Sequence, residues 1–214
     1  MAALTLVLSR SEDLEDSIFR KLDRETYELF DGSARLALAL AACEISIDHA
    51  RALRTLVRTG LMTSAVGLVR PQGESVVRAM WLLYAASEEQ VAKLAAPLNR
   101  DSEKIANKLP MFAEMVAALD GKAPVSAVAM VAQFKEMQAP SLNSFVHGGI
   151  HPLQRHAMGY PEPLLVQIVS TSNGLVTMAA MVMALLSGDP ARARAISKIQ
   201  RDFADCLPPL LPQT

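Results

Sequence analysis

Residues 141–156 read SLNSFVHGGIHPLQRH and hold three of the chain's four histidines, His147, His151 and His156, together with a Gly-Gly pair and Arg155. Imidazole is the commonest protein ligand for zinc, and three ligands with an open fourth position make a catalytic metal site. The spacing here argues against that use. His147 and His151 stand four apart, as ligands on one helix do, but Gly148-Gly149 lies between them and Pro152 follows, and no HExxH, cysteine or adjacent carboxylate completes the set. The sequence therefore predicts no metal and no other cofactor. His147 alone has the chemistry of an acid or base, placed at the end of a short helix beside glycines that let a ligand approach the backbone. The plainer alternative is a side chain that caps the last carbonyls of its own helix, with His151 and His156 as loop residues facing water.

A second polar set lies in RPQGESVVRAMW, residues 70–81. Arg70, Glu74 and Arg78 recur every four residues and so share one helical face. Such a ladder on a polar helix is a solvated ion-pair row. Its neighbours here are Leu68, Val69, Val76, Val77, Met80, Leu82 and Leu83, so the helix reads as buried on several sides, where a guanidinium must find a partner. The row is then either structural glue or the wall of an anion pocket. No G-x-S-x-G elbow, P-loop or GxGxxG motif offers another chemistry.

The elements that must position these residues all read as helices. Alanine, leucine, methionine, glutamate and lysine dominate, aromatics are 5%, and no stretch of alternating β-branched residues argues for a strand. Helices are predicted over 11–29, with Leu14, Ile18, Leu22 and Leu29 on one face, and over 34–59, a long central helix capped by Asp31-Gly32-Ser33. A third spans 61–86, kinked or broken near Val69 to Pro71, and a fourth opens at Ser87 and closes before Pro97. Shorter helices follow over 102–109, 110–119 and 124–136, and a further one begins at Pro140, carries Asn143 and His147 and stops at Gly148-Gly149. His151 to Pro163 reads as a loop, before two last helices over 164–187 and 189–207. The expected fold is an all-α, single-domain bundle of about seven to nine helices over residues 1–214, since no linker or internal repeat divides the chain.

Twenty-one basic against 22 acidic residues leave a net charge of −1, without the basic excess that nucleic-acid binding usually leaves, and with no DNA signal. Cys43 and Cys206 lie far apart without metal-ligand or disulfide spacing, which suits a reduced cytoplasm. The opening MAALTLVLSR lacks the basic region and apolar length of a signal peptide. Between Pro163 and Gly188 no residue is charged, but Gln167 and Ser170-Thr171-Ser172-Asn173-Gly174 interrupt the apolar run. That favours a buried helix over a membrane span, and offers it as the seam of a homodimer.

LVRPQGESVVRAMWLLYAASEEQVAKL, LNSFVHGGIHPLQRHAMGYP and SNGLVTMAAMVMALLSGDP together resemble a family of bacterial helical proteins known only as a domain of unknown function, over about residues 60–190. More distantly, a bundle with an arginine–glutamate helix and an Asn-x-x-x-His helix end resembles the HEPN superfamily. Its ribonuclease members carry Arg, then four to six residues, then His, and act on the RNA 2′-hydroxyl and phosphate, often across a dimer interface. His147 and Asn143 match the histidine and the polar residue that often follows the arginine, whereas the arginine's own place is taken by Leu142.

The resulting expectation is a HEPN-like cytoplasmic homodimer that binds an anionic or nucleotide-like ligand, RNA included, through Arg70, Glu74, Arg78, Asn143, His147 and His151, without demonstrated catalysis. Two alternatives stand beside it. One is a divergent metal-independent ribonuclease with His147 as acid or base and Arg70 or Arg78 as the phosphate cation. The other is a non-catalytic structural or interaction component of a defence or toxin–antitoxin system, in which these polar residues satisfy one another.

Overall fold

The long uncharged segment after Pro163 becomes the centre of the molecule. In the computed structural model the described residues are 2–23, 25–100, 104 and 108–209, with the side chains of 137–140 excepted. They form ten α-helices, a final 3-10 turn and no strand. In chain order these are α1 (Ala2–Leu22), α2 (Ala34–Arg58), α3 (Met62–Gly67), α4 (Val69–Tyr84), α5 (Glu88–Ala95), α6 (Phe112–Ala118), α7 (Val125–Val146), α8 (Ile150–Met158), α9 (Glu162–Leu186) and α10 (Pro190–Asp202), with the 3-10 turn at Ala204–Cys206.

Three helices, α2, α4 and α9, pack on one another and form the core. On one side α1 and α10 lie against α9; on the other α6 and α7 lie against α4, and α8 is an outlier carried on α7 and α3. Each core helix buries residues at helical spacing: Ala39, Cys43, Ile47, Ala50, Leu53 and Val57 on α2, and Val69, Val76, Val77, Met80 and Trp81 on α4.

Helix α9 is long and apolar enough to cross a membrane by length and composition, yet 67% of its most apolar window is buried inside the protein. Two of its polar interruptions, Ser172 and Asn173, are buried and bonded, while Gln167 is exposed. Gln72 on α4 donates to the Ser172 carbonyl at 2.9 Å, and the Ser172 hydroxyl donates back to Gln72 Oε1 at 2.8 Å. The Asn173 amide donates to Ser11 Oγ on α1 and to the Cys206 carbonyl, both at 2.9 Å. These side chains fix how α9 sits against α1, α4 and the C-terminal turn, since a buried polar group without its partner costs about 1–3 kcal/mol. The seam offered on α9 is thus largely covered within one chain, although Gln167 and Leu185 remain exposed.

Several boundaries differ from the sequence expectations. The first helix occupies Ala2–Leu22 rather than 11–29, because Leu4, Val7 and Leu8 extend the buried stripe of Leu14, Ile18 and Leu22 toward the N-terminus. Leu29 lies beyond it. The predicted break near Pro71 is realised at Leu68, between α3 and α4. Pro71 is then the third residue of α4, where no intrahelical N–H is needed. The two helices expected around 124–136 and after Pro140 are one helix, α7, running on to Val146. The expected loop from His151 contains α8, and α10 ends at Asp202 rather than near 207. The described residues thus hold ten α-helices, against the seven to nine expected. Ser33, Ser87 and Asp189 cap α2, α5 and α10 as their side-chain chemistry predicts, while most of the helix expected over 102–109 lies outside the described residues.

Candidate functional site

The arginine row stands on α4 at the edge of the core. Gln72, Gly73, Val76, Val77, Met80 and Trp81 take the buried side of the helix, which leaves Arg70, Glu74 and Arg78 along a half-buried strip. Arg70 Nε donates to Glu74 Oε1 at 2.9 Å, with side chains 23% and 39% exposed. Glu74 is therefore already engaged. Arg78, one turn further on, makes no hydrogen bond or ion pair with the described residues, although it is half-buried. Burial pushes its guanidinium below the ordinary arginine value, against the raising field of Glu74. Arginine still keeps its proton. One carboxylate between two guanidinium groups leaves a net positive charge in a partly desolvated place.

The histidine segment is organised quite differently. His147 caps the C-terminus of α7, its backbone N–H donating to the Asn143 carbonyl at 3.1 Å, and both side chains are exposed. Gly148, at φ 65°, turns the chain. Gly149 lets Ser144 approach, because a Cβ there would stand 2.5 Å from Ser144 Oγ. That hydroxyl in turn accepts from the His151 N–H at 3.1 Å, tying the start of α8 to α7. The exposed His151 ring stacks on Phe145 with centroids 6.4 Å apart. The Gly-Gly pair thus serves the helix joint, and no group of three or more His, Cys, Asp or Glu side chains among the described residues is placed to hold a metal.

The six predicted residues fall into two sets. Arg70, Glu74 and Arg78 share the α4 strip, whereas Asn143, His147 and His151 stand on the exposed α7–α8 joint. The Glu74 ion pair stays within α4, and the bonds of Asn143, His147 and His151 stay within the joint.

A third polar system was not singled out from the sequence. On α2, Arg51, Arg54 and Arg58 recur at i, i+3 and i+7, facing Glu12 and Glu15 at i and i+3 on α1. The Glu15 carboxylate accepts from Arg51 Nε at 2.5 Å and, through its other oxygen, from Arg54 Nη2. Arg54 is 5% exposed, and its Nη1 is buried without a hydrogen-bond partner. Glu12 pairs with Arg58 at 2.6 Å on the rim of a cleft of about 820 Å³ floored by Leu8, Val57 and Leu165. The two charge periodicities were the available signal; only the fold shows that they meet.

A family of unknown function, DUF6988, matches over residues 43–209. The chain belongs to this family. No curated protein matches the sequence, and no solved structure does. The DUF6988 span takes in both sets of predicted site residues and the arginines of α2, while α1, with Glu12 and Glu15, lies outside it.

Proposed function

We propose that this DUF6988 protein binds an anionic or nucleotide-like ligand, held at the Arg78 end of the α4 strip. The observation that carries the reading is the unbalanced Arg–Glu–Arg row: Arg70 occupies Glu74, and Arg78 is half-buried with no hydrogen bond or ion pair to an anion among the described residues. A desolvated guanidinium gains most from a bidentate oxyanion, and phosphate and carboxylate have that geometry.

A HEPN-like bundle is the finer form of this reading. It is supported by the all-helical core and by the Asn143-x-x-x-His147 helix end. Leu142, which holds the place of the ribonuclease arginine, is 4% exposed and belongs to the core. A phosphate cation would therefore come from α4, which favours binding over a ribonuclease reaction at His147. The reading places the protein in the cytoplasm, and its two unpaired thiols support that. Burial raises both, Cys206 to about 11, so they stay protonated and inert.

The test is calorimetric titration of the full chain with pyrophosphate, ATP and a short RNA, for wild type, Arg78→Lys and Arg78→Ala. Saturable, salt-sensitive binding that weakens in Arg78→Lys and disappears in Arg78→Ala, with melting temperatures unchanged, is the expected result. Absence of saturable binding by wild type removes the reading. RNA cleavage that is lost in His147→Gln replaces it with the ribonuclease.

A further inference from the structure

The basic residues of α10 divide between two sides of the helix. Ile196 and Ile199 take the buried side, and Arg192 joins them, donating to the Thr26 carbonyl at 3.3 Å and lying over the Tyr27 ring at 5.4 Å. Arg194, Lys198 and Arg201 recur at i, i+4 and i+7 on the opposite side, and all three are exposed. None of the three makes a hydrogen bond or an ion pair with the described residues. Asp202, the only acid in α10, is its last residue and pairs with neither Lys198 nor Arg201. In a chain of net charge −1 this row is a local excess of positive charge, about 10 Å long at 1.5 Å per residue. An aromatic ring is mounted at the start of the same helix. Phe30 is 75% exposed, yet its N–H donates to the Leu186 carbonyl at 2.8 Å and its ring rests on Gly188, where a Cβ would stand 2.5 Å from Phe30 Cδ2. The ring is thus held in place with most of its surface open.

We infer that α10 and Phe30 form a docking site for a single strand of nucleic acid, with backbone phosphates along Arg194, Lys198 and Arg201 and a base stacked on Phe30. Charge complementarity selects a polyanion for the row. An aromatic face beside aligned cations is the combination that holds single strands, since every base has a face to stack and every nucleotide a phosphate to neutralise. The neighbouring surface selects the shape of the partner. Helix α1 packs beside α10 and carries the exposed carboxylates of Asp13 and Asp16. A duplex or an anionic membrane laid on the row would press against them, whereas a strand follows the row. No large apolar side chain is exposed on α10 to enter a bilayer. The contacts go to phosphates and a base face, so the site reads no sequence. It lies on the α1 side of the core, across from α6 and α7, and does not depend on ligand binding at Arg78.

The test is fluorescence anisotropy of a labelled oligouridine of about 12 nucleotides, titrated with the full chain over a salt series. Log affinity against log salt should have a slope of about −2 for wild type, and each of Arg194→Ala, Lys198→Ala and Arg201→Ala should reduce that slope by about 0.7. These positions are exposed, so the variants should keep the wild-type melting temperature. Phe30→Ala should weaken binding about tenfold with the slope unchanged, and Phe30→Trp should restore it. Absence of saturable binding by wild type overturns the proposal, and so does binding that the three alanines together leave intact. Binding that disappears in Arg78→Ala and survives in Arg194→Ala overturns it by moving the strand to the α4 strip. Tighter binding to duplex RNA or to phosphatidylserine vesicles than to the single strand overturns it as well.

Discussion

The Phe134 ring on α7 occupies the space that a side chain on Gly73 would need: a Cβ built on Gly73 would stand 2.3 Å from Phe134 Cε1. This contact seats α7 on α4 beside the arginine row. Phe134 is itself buried and meets Phe112 edge to face at 6.2 Å, so its ring has little room to withdraw. Gly73→Ala should therefore destabilise the protein. Overpacking costs about 1–3 kcal/mol and improved helix propensity returns about 1 kcal/mol, for a net loss near 1 kcal/mol. Phe134→Leu should reduce that loss in a double-mutant cycle, read by denaturant unfolding.

Glu15 and Glu12 sit one turn apart on α1 but differ in burial. Glu15 holds Arg54, and their side chains are 10% and 6% exposed, whereas the Glu12–Arg58 pair is 56% and 40% exposed. Glu15→Ala strands a buried guanidinium and should cost about 3–5 kcal/mol. Glu12→Ala should cost below about 1 kcal/mol. Chemical denaturation of the two variants side by side checks the contrast; equal losses would show that the α1–α2 junction does not depend on Glu15.

The Arg70–Glu74 pair separates glue from pocket wall. It is an i, i+4 pair with Glu74 39% exposed, so Glu74→Gln should cost only about 0.3–0.5 kcal/mol. Removing this carboxylate also frees positive charge next to Arg78. Pyrophosphate affinity should then rise in Glu74→Gln by calorimetry. A large stability loss with no gain in affinity would favour the row as structural glue.

Placing an arginine where the ribonuclease pattern has one should not produce a ribonuclease. Leu142 is 4% exposed, and Leu142→Arg would bury a charge with no partner provided for it. The expected outcome is a steep fall in melting temperature without RNA cleavage. A stable Leu142→Arg protein that cleaves RNA, and loses cleavage on His147→Gln, would reverse the argument.

Alkaline stability should carry the signature of Tyr27. Its hydroxyl donates to the Met183 carbonyl on α9 at 2.8 Å, and burial foremost, with Cys43 and Glu44 adding, pushes its pKa from 10 to about 12 against the lowering field of Arg192. The folded state thus keeps the phenolic proton after the unfolded state has lost it. The contribution is full below pH 10 and is lost as pH rises from 10 to about 12. Denaturant midpoints across that range should fall less steeply for Tyr27→Phe than for wild type.

Local chemistry was legible wherever one residue decides the outcome. Ser33, Ser87 and Asp189 announce helix starts because their side chains accept from the first free N–H groups. Gly148 announces the end of α7 because the chain there takes a positive φ. Pro71 misled by only a few residues, since a proline breaks a helix in its interior but is tolerated in the first turn. Helix α8 was missed because three histidines, Pro152 and Gly149 look like a loop, and what holds it is a hydroxyl from the preceding helix, Ser144, seven residues before His151.

The sequence by itself determined an all-helical chain, its long apolar helix and the α4 row, because helical periodicity and i, i+4 spacing are properties of neighbours along the chain. Only the tertiary structure decided which faces meet. It buried most of α9 inside one chain, joined Glu15 to Arg54 across 39 residues, kept the α4 row apart from the bonds of the His147 joint, and turned the apolar Ile150 and Leu153 of α8 outward. Periodicity specifies that a face exists; the direction it points depends on packing against helices distant in sequence.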